Sequence, residues 1–85
     1  MTEWYVYVVE CSDKSLYTGI TTNVERRVEE HNTSPKGAKY TSRRRPVKLV
    51  YFESAIDRSS ASKREYAIKQ LSRSEKLKLI ETNGK

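Results

Sequence analysis

"WYVYVVECSDKSLYTGITTNVERRVEEH", Trp4 to His31, decides the fold. "WYVYVVE", Trp4 to Glu10, is rich in aromatic and β-branched residues and reads as a strand. "CSDK" is turn chemistry, and "SLYTGI" reads as a second strand, so an antiparallel hairpin is predicted. A glycine weakens a strand interior and offers no side chain for packing. Gly19 therefore predicts that something approaches the backbone closely at that point. A turn centred near Ser12 sets Tyr7 opposite or near Tyr17, with both hydroxyls on one face. An ordinary aromatic cross-strand pair accounts for the same placement. Thr22 with Glu25 three residues later forms a capping box, so a helix starts there and fades near Asn32 to Pro35.

Working outward, "VKLVYFES", Val47 to Ser54, reads as a third strand. "DRSSASKREYAIKQL" reads as a long helix capped by Asp57 or Ser59. Ser72 with Glu75 is a second capping box and opens a last helix. The end, 83–85, is expected to fray. The expected class is α+β: a three-stranded antiparallel sheet flanked by helices, in the order β-β-α-(α)-β-α-α. The bracketed helix is a short turn in the connection before the third strand. The opening hairpin argues against a parallel βαβ sheet.

The chain has 85 residues, which suits one domain over 1–82. No apolar run approaches the ~20 residues needed to cross a bilayer, and the start lacks the pattern of a signal peptide. One cysteine, Cys11, gives neither an internal disulfide framework nor a cysteine-rich zinc site. A reducing, cytoplasmic setting is expected.

The net charge is +6, and six basic residues with no acid lie between Ser34 and Lys48: Lys36, Lys39, Arg43, Arg44, Arg45 and Lys48. The other 11 Lys and Arg balance 11 Asp and Glu, so this segment carries the whole surplus. Concentrated positive charge attracts polyanions, and Tyr40 within it offers a ring for base stacking. Nucleic acid is the expected partner. A solvated loop that aids solubility is the plainer alternative, and a membrane surface fits poorly because the segment lacks an amphipathic apolar stripe.

On a helix from Val24, at about 100° per residue, Val28 falls at about 40°, His31 at about −20° and Arg27 at about −60°. A sheet-facing stripe thus contains an arginine and the chain's only histidine. Singly, each has an ordinary explanation: a C-terminal histidine on the helix dipole and an arginine that snorkels. The pair, one turn apart, is less ordinary. On the second helix, with Ala61 at 0°, Ile68 falls at about −20° and Glu65 at about 40°, beside the apolar stripe. Such a carboxylate is paired, metal-bound or partly wet. A surface pair with Lys69 is the simplest of these.

Together these pieces resemble the GIY-YIG nuclease superfamily. "YVY", Tyr5 to Tyr7, looks like the first half of its signature, with Tyr5 where glycine is usual. "YTG", Tyr17 to Gly19, looks like the second half. Arg27, His31 and Glu65 follow in the family's order, and the whole chain looks like its small bacterial single-domain subgroup. The late asparagine of many relatives has no counterpart, since Asn83 falls in the expected tail. The resemblance implies a metal-dependent DNA endonuclease. Glu65 would hold one Mg²⁺ or Mn²⁺, and Arg27 would clamp the phosphate. Tyr17 would orient or deprotonate the attacking water, with Tyr7 in support and His31 able to share that proton work. Gly19 would let a phosphate backbone or the first helix approach. Lys36, Lys39, Tyr40, Arg43, Arg44, Arg45 and Lys69 would line the nucleic-acid path. Two alternatives remain open: a binding module without chemistry, and a subunit whose specificity comes from a protein partner.

Overall fold

A computed structural model describes residues 3–33, 41 and 43–83. Three strands, β1 (Trp4–Glu10), β2 (Leu16–Thr21) and β3 (Lys48–Ala55), form one antiparallel sheet in the order β2-β1-β3. Three helices, α1 (Val24–Thr33), α2 (Arg58–Lys69) and α3 (Arg73–Asn83), complete the described residues. The expected turn of helix before β3 falls largely on 34–40, outside those residues. α3 includes Asn83, one residue further than the expected start of fraying.

Strand alternation sorts β1 into two faces. Val6 and Val8 point to one side and pack with Tyr51, Ala61 and Ile68, with Leu79 and Ile80 of α3 against them. Tyr7 and Val9 point to the other side and pack with Cys11 and Val47, covered by Val24 and Val28 of α1. The sheet therefore lies between α1 on one face and α2 with α3 on the other. A bulge lets β3 serve both: Val8 pairs with Tyr51 but Val9 pairs with Leu49, so Leu49 joins the α1 side.

The hairpin turn is centred on Asp13, one residue later than expected. The Cys11 N–H donates to Ser15 O at 2.8 Å and the Lys14 N–H to Cys11 O at 2.9 Å, and Lys14 takes a left-handed φ of 73°. This shift sets Tyr7 opposite Gly19 and Tyr17 opposite Val9. The two tyrosines share a face as diagonal neighbours rather than as a direct pair.

The caps follow local chemistry, with one correction. α1 is capped by Asn23, whose Oδ1 accepts the Arg26 N–H at 3.0 Å, and not by Thr22. Thr21 Oγ1 accepts the Asn23 N–H at 3.1 Å and so belongs to the turn that presents this cap. Asp57 caps α2 by accepting the Ser60 N–H at 2.8 Å. The Ser72–Glu75 box makes both of its reciprocal bonds, at 3.2 and 2.9 Å.

Candidate active site

Tyr7 comes from the central strand, Tyr17 from the edge strand β2, and Arg27 and His31 from the sheet-facing side of α1. The Tyr7 Oη lies 2.7 Å from His31 Nε2, and both side chains are buried, at 1% and 0% exposure. Arg27 pairs with Glu30 at 3.0 Å, and its positive charge acts on the Tyr7 phenol. Half-buried Tyr17 meets the His31 ring edge-on, with centroids 5.4 Å apart. The imidazole is therefore flanked by both phenols.

Gly19 has a direct structural reason. A Cβ there would stand 2.6 Å from the Tyr7 Oη and 2.8 Å from the ring carbon that bears it. The group that approaches this backbone is the Tyr7 phenol, lying across the position directly opposite it in the hairpin. It takes the room that a phosphate backbone or the helix was expected to use.

Glu65 arrives from the opposite face, beside the edge strand. Its Oε2 is 3.0 Å from Lys69 Nζ, and that ammonium sits 5.9 Å from the centroid of the Tyr17 ring. The expected i to i+4 pair is present, and it links the acid to the second phenol. The Glu65 charge also reaches Tyr7. Among the described residues no three His, Cys, Asp or Glu side chains gather to hold a metal.

Burial sets the proton chemistry. It pushes the Tyr7 phenol up to about 12, against the pull of the Arg27 guanidinium. It also pushes His31 down to about 4, aided by the charges of Arg27 and Arg45 and opposed by Glu30. At neutral pH both are uncharged.

The basic segment divides. Lys36, Lys39 and Tyr40 lie outside the described residues. Arg43 is exposed. Arg44 is held by the hairpin: its Nε is 3.1 Å from Asp13, and its carbonyl accepts the Ser12 N–H at 2.9 Å. Arg45 donates to the His31 carbonyl at 2.6 Å. These two arginines brace the site. Sequence reasoning missed three further contributors. Thr41 Oγ1 lies 2.9 Å from His31 Nδ1. Asn32 pins Val47 with bonds of 2.7 and 3.1 Å through both ends of its amide. Asp13 anchors Arg44. A threonine, an asparagine and an aspartate in polar stretches carry no periodic signal that marks such contacts.

With this geometry in place, the chain matches the model of the GIY-YIG catalytic domain over residues 3–78. It belongs to the GIY-YIG family. Within that family it is similar to a UPF0213 protein of Desulfotalea psychrophila, 62% identical over 82 residues, which are 96% of this chain and 74% of that one. The solution structure of the UPF0213 protein from Bacillus halodurans is 45% identical, with a TM-score of 0.62 over 96% of this chain and 86% of that one. An E. faecalis protein structure is 44% identical with a TM-score of 0.65, at the same coverage. The matched range includes Tyr5–Tyr7 and Tyr17–Gly19, where the signature is expected, and Tyr5 packs edge-on against Phe52 with centroids 6.1 Å apart. No helix among the described residues is long and apolar enough to cross a membrane.

Proposed function

We propose that this GIY-YIG protein is a metal-dependent DNA endonuclease of DNA repair, recombination or processing that hydrolyses phosphodiester bonds. The observation that carries the reading is the convergence of Tyr7, Tyr17, Arg27 and His31, with Glu65 tied to Tyr17 through Lys69.

The roles divide by exposure. Tyr17 is reachable, whereas His31 is enclosed with both ring nitrogens engaged. This favours Tyr17 as the group that orients and deprotonates the attacking water. Tyr7 and His31 form its rigid backing. The Arg27 guanidinium, a quarter exposed, is available to a phosphate oxygen beside the phenols. Glu65 offers a hard carboxylate with 23% of its side chain exposed, which fits a magnesium or manganese ion that keeps most of its water shell. When bound, such an ion stabilises charge on the phosphate and the leaving oxygen. Lys69, now paired with Glu65 at 3.0 Å, would meet the nucleic-acid backbone together with Arg43 once Glu65 served an ion instead.

The test is a cleavage panel of single-stranded, duplex and branched DNA with Mg²⁺ or Mn²⁺. Wild type is expected to cut. Glu65→Gln is expected to lose at least about 10²-fold in rate while keeping its fold and its DNA binding. A variant that cuts as fast as wild type removes Glu65 from the metal role. DNA binding by a wild type that cuts no substrate favours the binding-module alternative.

A further inference from the structure

Glu65 and Lys69 stand one turn apart on α2. The Lys69 Nζ lies 3.0 Å from Glu65 Oε2 and 5.9 Å from the centroid of the Tyr17 ring. An i to i+4 ion pair usually serves only its own helix. This one reaches further, because its ammonium also meets a phenol on β2, and a cation over an aromatic ring is held there by the ring's charge distribution. Lys69 thus bridges the acid and the phenol. Arg27 is directed to Glu30 at 3.0 Å instead.

A carboxylate that binds a hard divalent ion must offer it an oxygen. In this structure Glu65 Oε2 is already committed to a cation. The pair is also exchangeable. Its side chains are 23% and 47% exposed, and ion pairs that water can reach are weak. The lysine stem is flexible, so the ammonium can swing away while the helix stays in place.

We propose that Lys69 is a positioning residue that serves as the resident counter-cation of the candidate metal site: its ammonium occupies Glu65 while no ion is bound, keeps the acid tied to Tyr17, and weakens metal binding by direct competition. The proposal rests on the reading of Glu65 as the metal ligand. Removing the ammonium frees Oε2 and takes away a charge that repels a divalent ion. Metal should then bind more tightly. A lysine that merely supported the site would have the opposite effect, so the sign of the change separates a competitor from a scaffold.

The experiment titrates Mn²⁺ alone into the DNA-free protein and follows the paramagnetic broadening of backbone amide signals. Wild type is expected to show broadening centred on Glu65, and Glu65→Gln to lose it. Lys69→Met keeps an unbranched, helix-forming side chain. It is expected to reach half-maximal broadening at about 3- to 10-fold lower Mn²⁺. Lys69→Arg keeps the charge and should titrate like wild type. A methionine variant that binds Mn²⁺ at Glu65 no more tightly than wild type overturns the proposal and leaves Glu65 as a ligand. So does an arginine variant that binds as tightly as the methionine one. Broadening that is absent around Glu65, or that survives unchanged in Glu65→Gln, overturns the metal reading and the proposal with it. If Lys69→Met does not fold, Lys69→Gln makes the same comparison.

Discussion

Gly19 and Tyr7 act as one unit. The phenol lies where a side chain at position 19 would be, and its far end is held by His31. Gly19→Ala should therefore cost about 1–3 kcal/mol, the usual penalty of overpacking, read as a lower midpoint in urea. An unchanged midpoint would mean that the ring moves aside freely. His31 supplies a second residue-scale expectation. Its folded value, about 4, lies below the 6.5 of an unconstrained histidine, so between those limits the unfolded chain binds more protons. Stability is then fully present above about pH 6.5 and falls by about 3 kcal/mol as the pH drops toward 4. Asp13 and Asp57, held below their ordinary 3.8, lose their contributions only at lower pH, which leaves the window to His31. Unfolding curves at pH 7, 5.5 and 4.5 check this; a flat profile would show that the ring is not a desolvated base. The glycine, the histidine and both phenols stand out in the sequence as residue types in unusual places. The occupant of the space beside Gly19 does not, because it is decided by which residue lies across the hairpin.

At the scale of the element, the hairpin turn controls the site. Moving its centre from Ser12 to Asp13 shifts every cross-strand partner and exchanges Tyr17 for Gly19 opposite Tyr7. Lys14 carries the cost of this turn in its left-handed backbone. Lys14→Gly should stabilise the protein by about 0.5–1 kcal/mol with the register unchanged, as measured by thermal unfolding and cross-strand amide contacts. A destabilised glycine variant would mean that φ at this position is not strained. The helices were legible from their caps and stripes, since Asp57, Ser72 and Glu75 bond to backbone groups within three residues. Asn23 replaces Thr22 as the cap of α1 because Thr21 folds the chain back before the helix begins. The bulge in β3 had no local signature, because it answers the need to supply both faces of the sheet.

Across the whole molecule the described arginines of the basic segment fall into two environments that sequence alone merges. Arg43 faces solvent, whereas Arg44 and Arg45 hold the connection to the hairpin and to α1. Arg43→Ala is expected to weaken DNA binding and lower its salt slope by about 1 while leaving the melting temperature unchanged. Arg44→Ala should lower the melting temperature by a few degrees, a shift that tracks the loss of Asp13 pairing. Equal effects of the two variants on both measurements would refute the division. The elements, their order and the residue types of the site were determined by the sequence itself, since periodicity, capping and turn chemistry act over a few neighbouring residues. Register, the phenol beside Gly19, the approach of Glu65 through Lys69 and the bond from Thr41 to His31 were decided only by tertiary structure. Each of these depends on parts of the chain that are distant in sequence, and its geometry is set by how those parts pack.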